Sequence, residues 1–281
     1  LSDINIRDPF VLYENGIYYL YGTRAKHFGK KTGGFDVYTS DNLIDWSCPQ
    51  ECFNSKKFGY NKQVNWAPEV HKYNGKYYMF ATFTKENGLR GTFSMIADSP
   101  LGPFRPHSKK AITPEAWECL DGTLYMNSRN EPYLVFCHEH TQIVDGTICF
   151  LKLNSDLSES EGEPVKLFSG SSPYYMDKKP NGEHYITDGP FLFRTSGGEL
   201  LMLWSTHIKH RYAQCIARSD NGEIDGNFIH LPPLIDDDGG HGMVFTGKEG
   251  LMLTFHKPNT SGFEHPVFMK IKDTGDLIVS E

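Results

Sequence analysis

The sequence predicts an all-β protein, a five-bladed β-propeller, and three observations carry that prediction. A short polar signature recurs five times, each time followed by an apolar strand, a turn and a second apolar strand. The signatures lie 53–67 residues apart, the spacing of blades built from four short strands. No segment sustains the 3.6-residue apolar period of a helix. Regular strand spacing alone also suits a β-sandwich, but sandwiches do not repeat a polar signature before the same strand.

The copies follow in order. The first opens Arg7-Asp8-Pro9-Phe10, turns at Asn15-Gly16 and continues through Ile17 to Thr23; the second opens Trp66-Ala67-Pro68-Glu69, turns at Asn74-Gly75 and continues through Lys76 to Thr82. The third opens Leu120-Asp121-Gly122-Thr123, the fourth Thr187-Asp188-Gly189-Pro190 and the fifth Gly240-His241-Gly242-Met243. Asn-Gly, and Gly197-Gly198 in the fourth copy, supply the positive φ that tight hairpins need. The second strands, such as Tyr77-Tyr78-Met79-Phe80 and Leu201-Met202-Leu203-Trp204, are short, aromatic or aliphatic, and bounded by turn residues. A third strand is expected at Phe35–Thr39, Thr92–Ala97, Thr147–Leu151, Tyr212–Arg218 and Pro266–Ile271, with a weaker outer strand beyond it, as at Phe104–Pro106 and Phe228–His230. Leu1 to Ile6 is expected to pair with the last blade and close the ring. The repeats run from residue 8 to the last strands near 280, which predicts one domain over residues 1–281.

Composition excludes several classes of function. The net charge of −7 is spread without basic runs, so nothing neutralises the phosphates of a nucleic acid. No apolar stretch is long enough to span a bilayer. Aromatic residues make up 14 %, with 15 Tyr and 19 Phe, which serves strand packing and sugar stacking alike. The six cysteines (48, 52, 119, 137, 149 and 215) show no CxxC pair or zinc spacing and read as mostly free thiols, with Cys48 and Cys52 close enough in sequence to bridge. Leu1 opens the chain with no basic or apolar leader, so a targeting segment has been removed or never existed. Both an exported protein and a cytoplasmic one acting on imported oligosaccharides are compatible with this.

Aligned on their hairpins, positions 8, 67, 121, 188 and 241 fall together and carry Asp, Ala, Asp, Asp and His. Equivalent positions in a radial array converge on the axis, so three carboxylates and an imidazole are expected at one mouth of the channel. Asp-Pro and Asp-Gly are also ordinary turn dipeptides. Turn capping is sufficient for one such residue; three at equivalent positions point to catalysis.

The five signatures, in order and at blade spacing, resemble those of glycoside hydrolase family 43, propeller glycosidases acting on arabinose- and xylose-containing glycans. The resemblance covers nearly the whole chain. It implies an inverting hydrolysis with Asp8 as general base, Asp121 raising the pKa of the acid and holding it in place, and position 188 as the acid. The family's acid is normally Glu. Asp188 is one methylene shorter and reaches roughly 1.5 Å less far, while inversion needs room for a water between two carboxyls roughly 6.5–9.5 Å apart. Glu139, in Phe136-Cys137-His138-Glu139-His140 at the end of the third copy's second strand, is therefore a second candidate for proton donor. Trp66 is a candidate wall of the sugar pocket, or equally a packing residue, and Glu69 follows it in the signature. The resemblance also implies an arginine in the fourth blade, and Arg211 is preferred over Arg218. His241 matches an axial histidine that helps hold a central cation through water, calcium being the usual one; no cofactor is expected for the chemistry itself. The expected activity is exo-acting α-L-arabinofuranosidase, with β-D-xylosidase and a non-catalytic carbohydrate-binding propeller as rivals.

Overall fold

The computed structural model describes residues 3–27, 33–60, 64–177 and 183–281, and in these the chain forms five four-stranded antiparallel sheets. Each sheet is one consecutive stretch of sequence. Blade one contains β1 (Ile6–Glu14), β2 (Ile17–Arg24), β3 (Gly34–Ser40) and β4 (Gln50–Asn54). Blade two contains β5 (Asn65–Tyr73), β6 (Lys76–Thr84), β7 (Arg90–Ala97) and the two-residue β8 (Arg105–Pro106). Blade three contains β9 (Cys119–Met126), β10 (Pro132–His138), β11 (Thr147–Leu153) and β12 (Ser160–Ser169). Blade four contains β13 (Asp188–Arg194), β14 (Leu200–Ile208), β15 (Arg211–Ser219) and β16 (Phe228–Ile235). Blade five contains β17 (Gly240–Gly247), β18 (Gly250–Lys257), β19 (His265–Asp273) and β20 (Ile278–Ser280). The one α-helix among the described residues, α1 (His140–Ile143), is a single turn. The fold is the expected five-bladed propeller.

Local chemistry explains the hairpins. Asn15 and Gly16 have φ of 51° and 82°, and Asn74 and Gly75 have 47° and 77°. Two successive positive φ values make the tight turn whose twist matches that of the flanking strands. Packing then assembles the blades. Apolar side chains on facing sheets fill the wedges between neighbours, as where Tyr78 and Phe80 meet Leu134, Phe136 and Leu151, and where Val135 and Ile148 meet Met202 and Trp204. All six cysteines are free, five of them buried as small apolar groups within these wedges or beside them, so Cys48 and Cys52 do not bridge.

Leu1 and Ser2, the start of the strand expected to close the ring, lie outside the described residues; among the described ones closure differs from expectation. Ile6 opens β1 and pairs with Arg24 inside blade one, and blade five takes its four strands from the C-terminal part of the chain. The N-terminal residues fasten the ring through side chains instead. Asn5 Nδ2 donates to the carbonyls of Gly262 (3.0 Å) and Glu264 (2.9 Å), and His265 Nδ1 lies 2.8 Å from the Ile4 carbonyl. Trp46 stacks on Phe268 at 5.7 Å, and the Lys248 N–H donates to the Tyr18 hydroxyl across the same seam.

The strand register also corrects one alignment. Every inner strand breaks register where the signature lies, and the unpaired residues are 8–9, 67–68, 121–122, 189–190 and 241–242. Asp8, Ala67, Asp121, Gly189 and His241 carry positive φ there (55°, 45°, 56°, 48° and 52°). In the fourth blade the equivalent of Asp8 is therefore Gly189. Asp188 stands one residue earlier, in the last paired position before the bulge. The fourth hairpin differs in length from the first two, and alignment on its Gly-Gly turn hid the offset. A bulge re-aims a side chain, so Asp188 approaches the axis along a different line from Asp8 and Asp121.

Candidate active site

The five bulges surround a cavity of about 160 Å³ at one mouth of the channel. Arg7, Asp8, Trp66, Arg90, Leu120, Asp121, Glu139, His140, Ile186, Asp188 and His241 line it. Asp8, Asp121, Asp188 and Glu139 thus reach one site, together with Trp66 and His241.

Asp8 is held as an anion. It is 7 % exposed; Thr23 Oγ1 donates to its Oδ2 at 2.7 Å, and His241 Nδ1 lies 3.1 Å from its Oδ1. Arg7 Nε is 3.6 Å from the same oxygen. Burial pushes the carboxyl up, but His241, Arg7, His256 and the Thr23 hydroxyl outweigh it and bring Asp8 to about 2. Behind it, His256 Nδ1 accepts the Asp8 backbone N–H at 3.1 Å. That acceptor role requires a neutral ring with its proton on Nε2, and burial accordingly holds His256 low, at about 3.

Asp121 and Asp188 are pushed the other way. Asp121 is enclosed, and burial followed by the negative charge of Asp8 lifts it well above the usual carboxylate range. Asp188 rises to about 7, chiefly by burial, then through the charges of Asp121 and Glu139. His241 and a hydrogen bond donated by Tyr212 (Oη to Asp188 Oδ2, 3.0 Å) act against the rise. One carboxyl ionised at any ordinary pH thus shares a cavity with two, Asp121 and Asp188, whose hold on a proton is raised. That pairing of opposite protonation states is what general acid–base hydrolysis requires.

The Tyr212 bond gives a prediction with a definite sign. It favours the charged form of Asp188, so Tyr212→Phe raises the Asp188 pKa further. The alkaline limb of kcat/KM, which marks loss of the acid's proton, is expected to move up by about half to one pH unit in that variant; a limb that stays in place or moves down refutes the bond's role.

Glu139 is committed elsewhere. Arg90 donates to its Oε2 at 2.7 Å, His140 Nε2 lies 3.3 Å from its Oε1, and the same carboxylate caps α1 by accepting the His140 N–H. Arg90 also pairs with Glu118 and lies over the Trp66 ring, 5.2 Å from its centroid. Trp66 is therefore a half-buried cavity wall with a guanidinium across its face.

Two expected sugar contacts are not in the cavity. Glu69 is buried on β5 and pairs with His71 at 3.1 Å, because the bulge at 67–68 turns it away from the mouth. Arg211 is exposed directly after the Lys209–His210 turn. Strand alternation points its neighbour Tyr212 inward instead. The arginines of the site are Arg7 and Arg90. Arg7 is fixed by Glu264, whose carboxylate accepts from Nη1 at 2.8 Å and is fully buried. Sequence reading missed Arg90, Tyr212, His256 and Thr23 as site residues. Thr23 and His256 had a readable signal, since both end second strands opposite a signature.

For His241 the expected contact with a central cation runs through water, and the ring's immediate partners are carboxylates. Its Nδ1 faces Asp8 (3.1 Å) and Asp121 (3.7 Å), a nitrogen facing a carboxylate must carry the proton, and calcium takes oxygen ligands. Among the described residues no group of three or more His, Cys, Asp or Glu is arranged to hold a metal ion. No helix is long and apolar enough to cross a membrane among the described residues.

Comparison with known proteins agrees with this geometry. Residues 2–267 match the sequence profile of glycosyl hydrolases family 43. The chain is 38 % identical to an endo-arabinase of Bacteroides thetaiotaomicron, with a TM-score of 0.87 over 98 % of both chains. It is 27 % identical over 191 residues to an extracellular exo-α-(1→5)-L-arabinofuranosidase of Streptomyces chartreusis; the match covers 66 % of this chain but 54 % of the relative, about half its length. An endo-1,4-β-xylanase of B. thetaiotaomicron shares the fold at a TM-score of 0.80 and 22 % identity, covering 99 % of this chain and 94 % of that one. With the propeller, the acidic cavity and a profile match over most of its length, the chain belongs to glycosyl hydrolases family 43 and is a glycoside hydrolase.

Proposed function

We propose that residues 1–281 act as one catalytic unit, an inverting exo-glycosidase that removes terminal α-L-arabinofuranosyl units. Asp8 takes the proton of a water whose oxygen attacks the anomeric carbon. Asp188 gives its proton to the departing glycosidic oxygen as the C–O bond breaks. Asp121 supplies the neighbouring charge and contact that keep Asp188 protonated. The chemistry draws on no cofactor. The observation that carries this reading is the pair of Asp8 at about 2 and Asp188 at about 7 in one cavity. Glu139, paired with Arg90 and capping a helix turn, serves instead as a fixed charge beside the acid.

The similarity to an exo-acting arabinofuranosidase supports action at chain ends. Both arabinan-directed relatives favour arabinose over xylose as the sugar. The endo-arabinase among them supports a second reading, internal cleavage of the same polymer.

Linear α-1,5-linked arabino-oligosaccharides separate the readings, assayed beside the 4-nitrophenyl α-L-arabinofuranoside and β-D-xyloside. Release of arabinose alone, one unit at a time, is the expected result. Early appearance of di- and trisaccharides instead establishes endo cleavage, and preferential hydrolysis of the xyloside establishes a β-xylosidase. Sugar binding without turnover of any substrate returns the protein to a carbohydrate-binding role.

A further inference from the structure

A repeated contact between neighbouring blades is broken at one place, next to the acid. On the second strand of each blade, the residue paired with the position before the bulge is Thr23, Thr82, Cys137, Ser205 or His256. In four cases that side chain accepts the bulge N–H of the next blade. Thr23 Oγ1 takes the Ala67 N–H (2.7 Å) and Thr82 Oγ1 that of Asp121 (3.0 Å). Ser205 Oγ takes the His241 N–H (2.7 Å), and His256 Nδ1 that of Asp8 (3.1 Å). These are buried, charge-free staples that fix each bulge against its neighbour.

Between blades three and four the position holds Cys137, whose fully buried thiol is a weak acceptor. The Gly189 N–H goes to Asp121 Oδ2 instead, at 3.1 Å. The Gly189 backbone lies close against the His241 ring, where an added Cβ would sit 2.6 Å away, so the position is restricted to glycine. We propose that Cys137 is a positioning residue: by withholding an acceptor, it leaves the Gly189 N–H to Asp121 and so ties that carboxylate to the residue next to the acid Asp188. This rests on the reading of Asp188 as the proton donor.

The consequence is electrostatic. Asp121 stays near Asp188 because a backbone donor belonging to blade four holds it there. The groups facing Asp188 are Asp121 on β9, the Cys137 thiol on β10, Glu139 after β10, Tyr212 on β15, His241 on β17 and Arg7 on β1. Of these, Asp121 is the carboxyl whose position and ionisation both depend on the Gly189 bond, which favours its charged form. An acceptor at 137 would claim the Gly189 N–H, as Ser205 claims that of His241, and Asp121 would lose both charge stabilisation and tether. Less negative charge near Asp188 lowers its pKa, and the proton is then lost at lower pH.

Cys137→Ser supplies the acceptor at nearly constant volume, and Cys137→Ala removes the thiol without supplying one. The tests are kcat/KM against pH on an α-1,5-linked arabino-oligosaccharide, melting temperature, and the Gly189 amide by NMR or crystallography. The alkaline limb is expected to move down by about half a unit or more in Cys137→Ser and to stay near the wild-type position in Cys137→Ala. The Gly189 N–H should leave Asp121 in Cys137→Ser alone. The inference is overturned by any of three results: the bond moves and the limb does not, the bond stays on Asp121 in Cys137→Ser, or Cys137→Ala moves the limb as far as Cys137→Ser. A wild-type enzyme with no alkaline limb near neutrality would overturn the acid assignment itself, and this inference with it; a limb that is present but insensitive to residue 137 overturns this inference alone.

Discussion

Asp8→Asn is expected to lower kcat by about 10³–10⁴-fold on every substrate, whatever its leaving group. The loss is about 4–5.5 kcal/mol of transition-state stabilisation, at 1.36 kcal/mol per decade. The amide keeps the size of the carboxyl and can still accept the Thr23 hydroxyl, so the fold should survive and melting should change little. What disappears is the acceptor for water's proton. Measurement on both an aryl arabinofuranoside and an arabino-oligosaccharide distinguishes this from loss of the acid, because a missing base slows the two alike. Loss confined to KM would show that Asp8 binds sugar and leaves the water alone. The wild-type pH profile follows from the same carboxyl. Asp8, depressed to about 2, remains ionised throughout the usable range, so its titration adds no acidic limb above pH 3.

Asp188→Ala should behave differently. On natural arabinan, whose sugar leaving group must be protonated, activity should fall by about 10²–10⁴-fold, while the 4-nitrophenyl glycoside, whose leaving group departs as an anion, should lose less than about tenfold. With Asp188 at about 7 in the wild type, kcat/KM should decline as pH rises through that value, and the decline should vanish in the variant. The sign is fixed by the role: a raised carboxyl donates below its pKa and is spent above it. Glu139→Gln is the control. If the leaving-group dependence appears in that variant and not in Asp188→Ala, Glu139 is the acid and Asp188 its neighbour. The ion pair with Arg90 and the cap on α1 favour Asp188 as the acid, since both Glu139 carboxylate oxygens are already engaged.

Much of the fold was legible in the sequence. Asn-Gly turns, second strands such as Tyr77–Phe80 and the recurring polar signature are local features, each complete within about a dozen residues. Asp8, Asp121 and His241 could be placed on the axis because a radial repeat brings like positions together. Asp188 was found as well, but for a partly mistaken reason, since its structural equivalents are the residues before the bulges. Arg211 and Glu69 were misjudged because strand direction and bulge geometry, not proximity to a signature, decide which neighbour faces the cavity. Arg90 lies 24 residues beyond Trp66 with no motif around it, so nothing local marked it.

By itself, then, the sequence determined the architecture and the converging acidic positions, because turn propensity and alternation act between neighbours along the chain, while the family of chemistry was legible through the resemblance of its five signatures. Only the tertiary structure set the Asp8 and Asp188 carboxyls apart, one held low and the other raised. Asp8 owes its low pKa, against the pull of burial, to His241 far along the chain and to Arg7 beside it, and Asp188 owes its high one first to burial and then to Asp121 and Glu139. A pKa is set by burial and by charges within a few ångströms, and those distances exist only after the ring has closed.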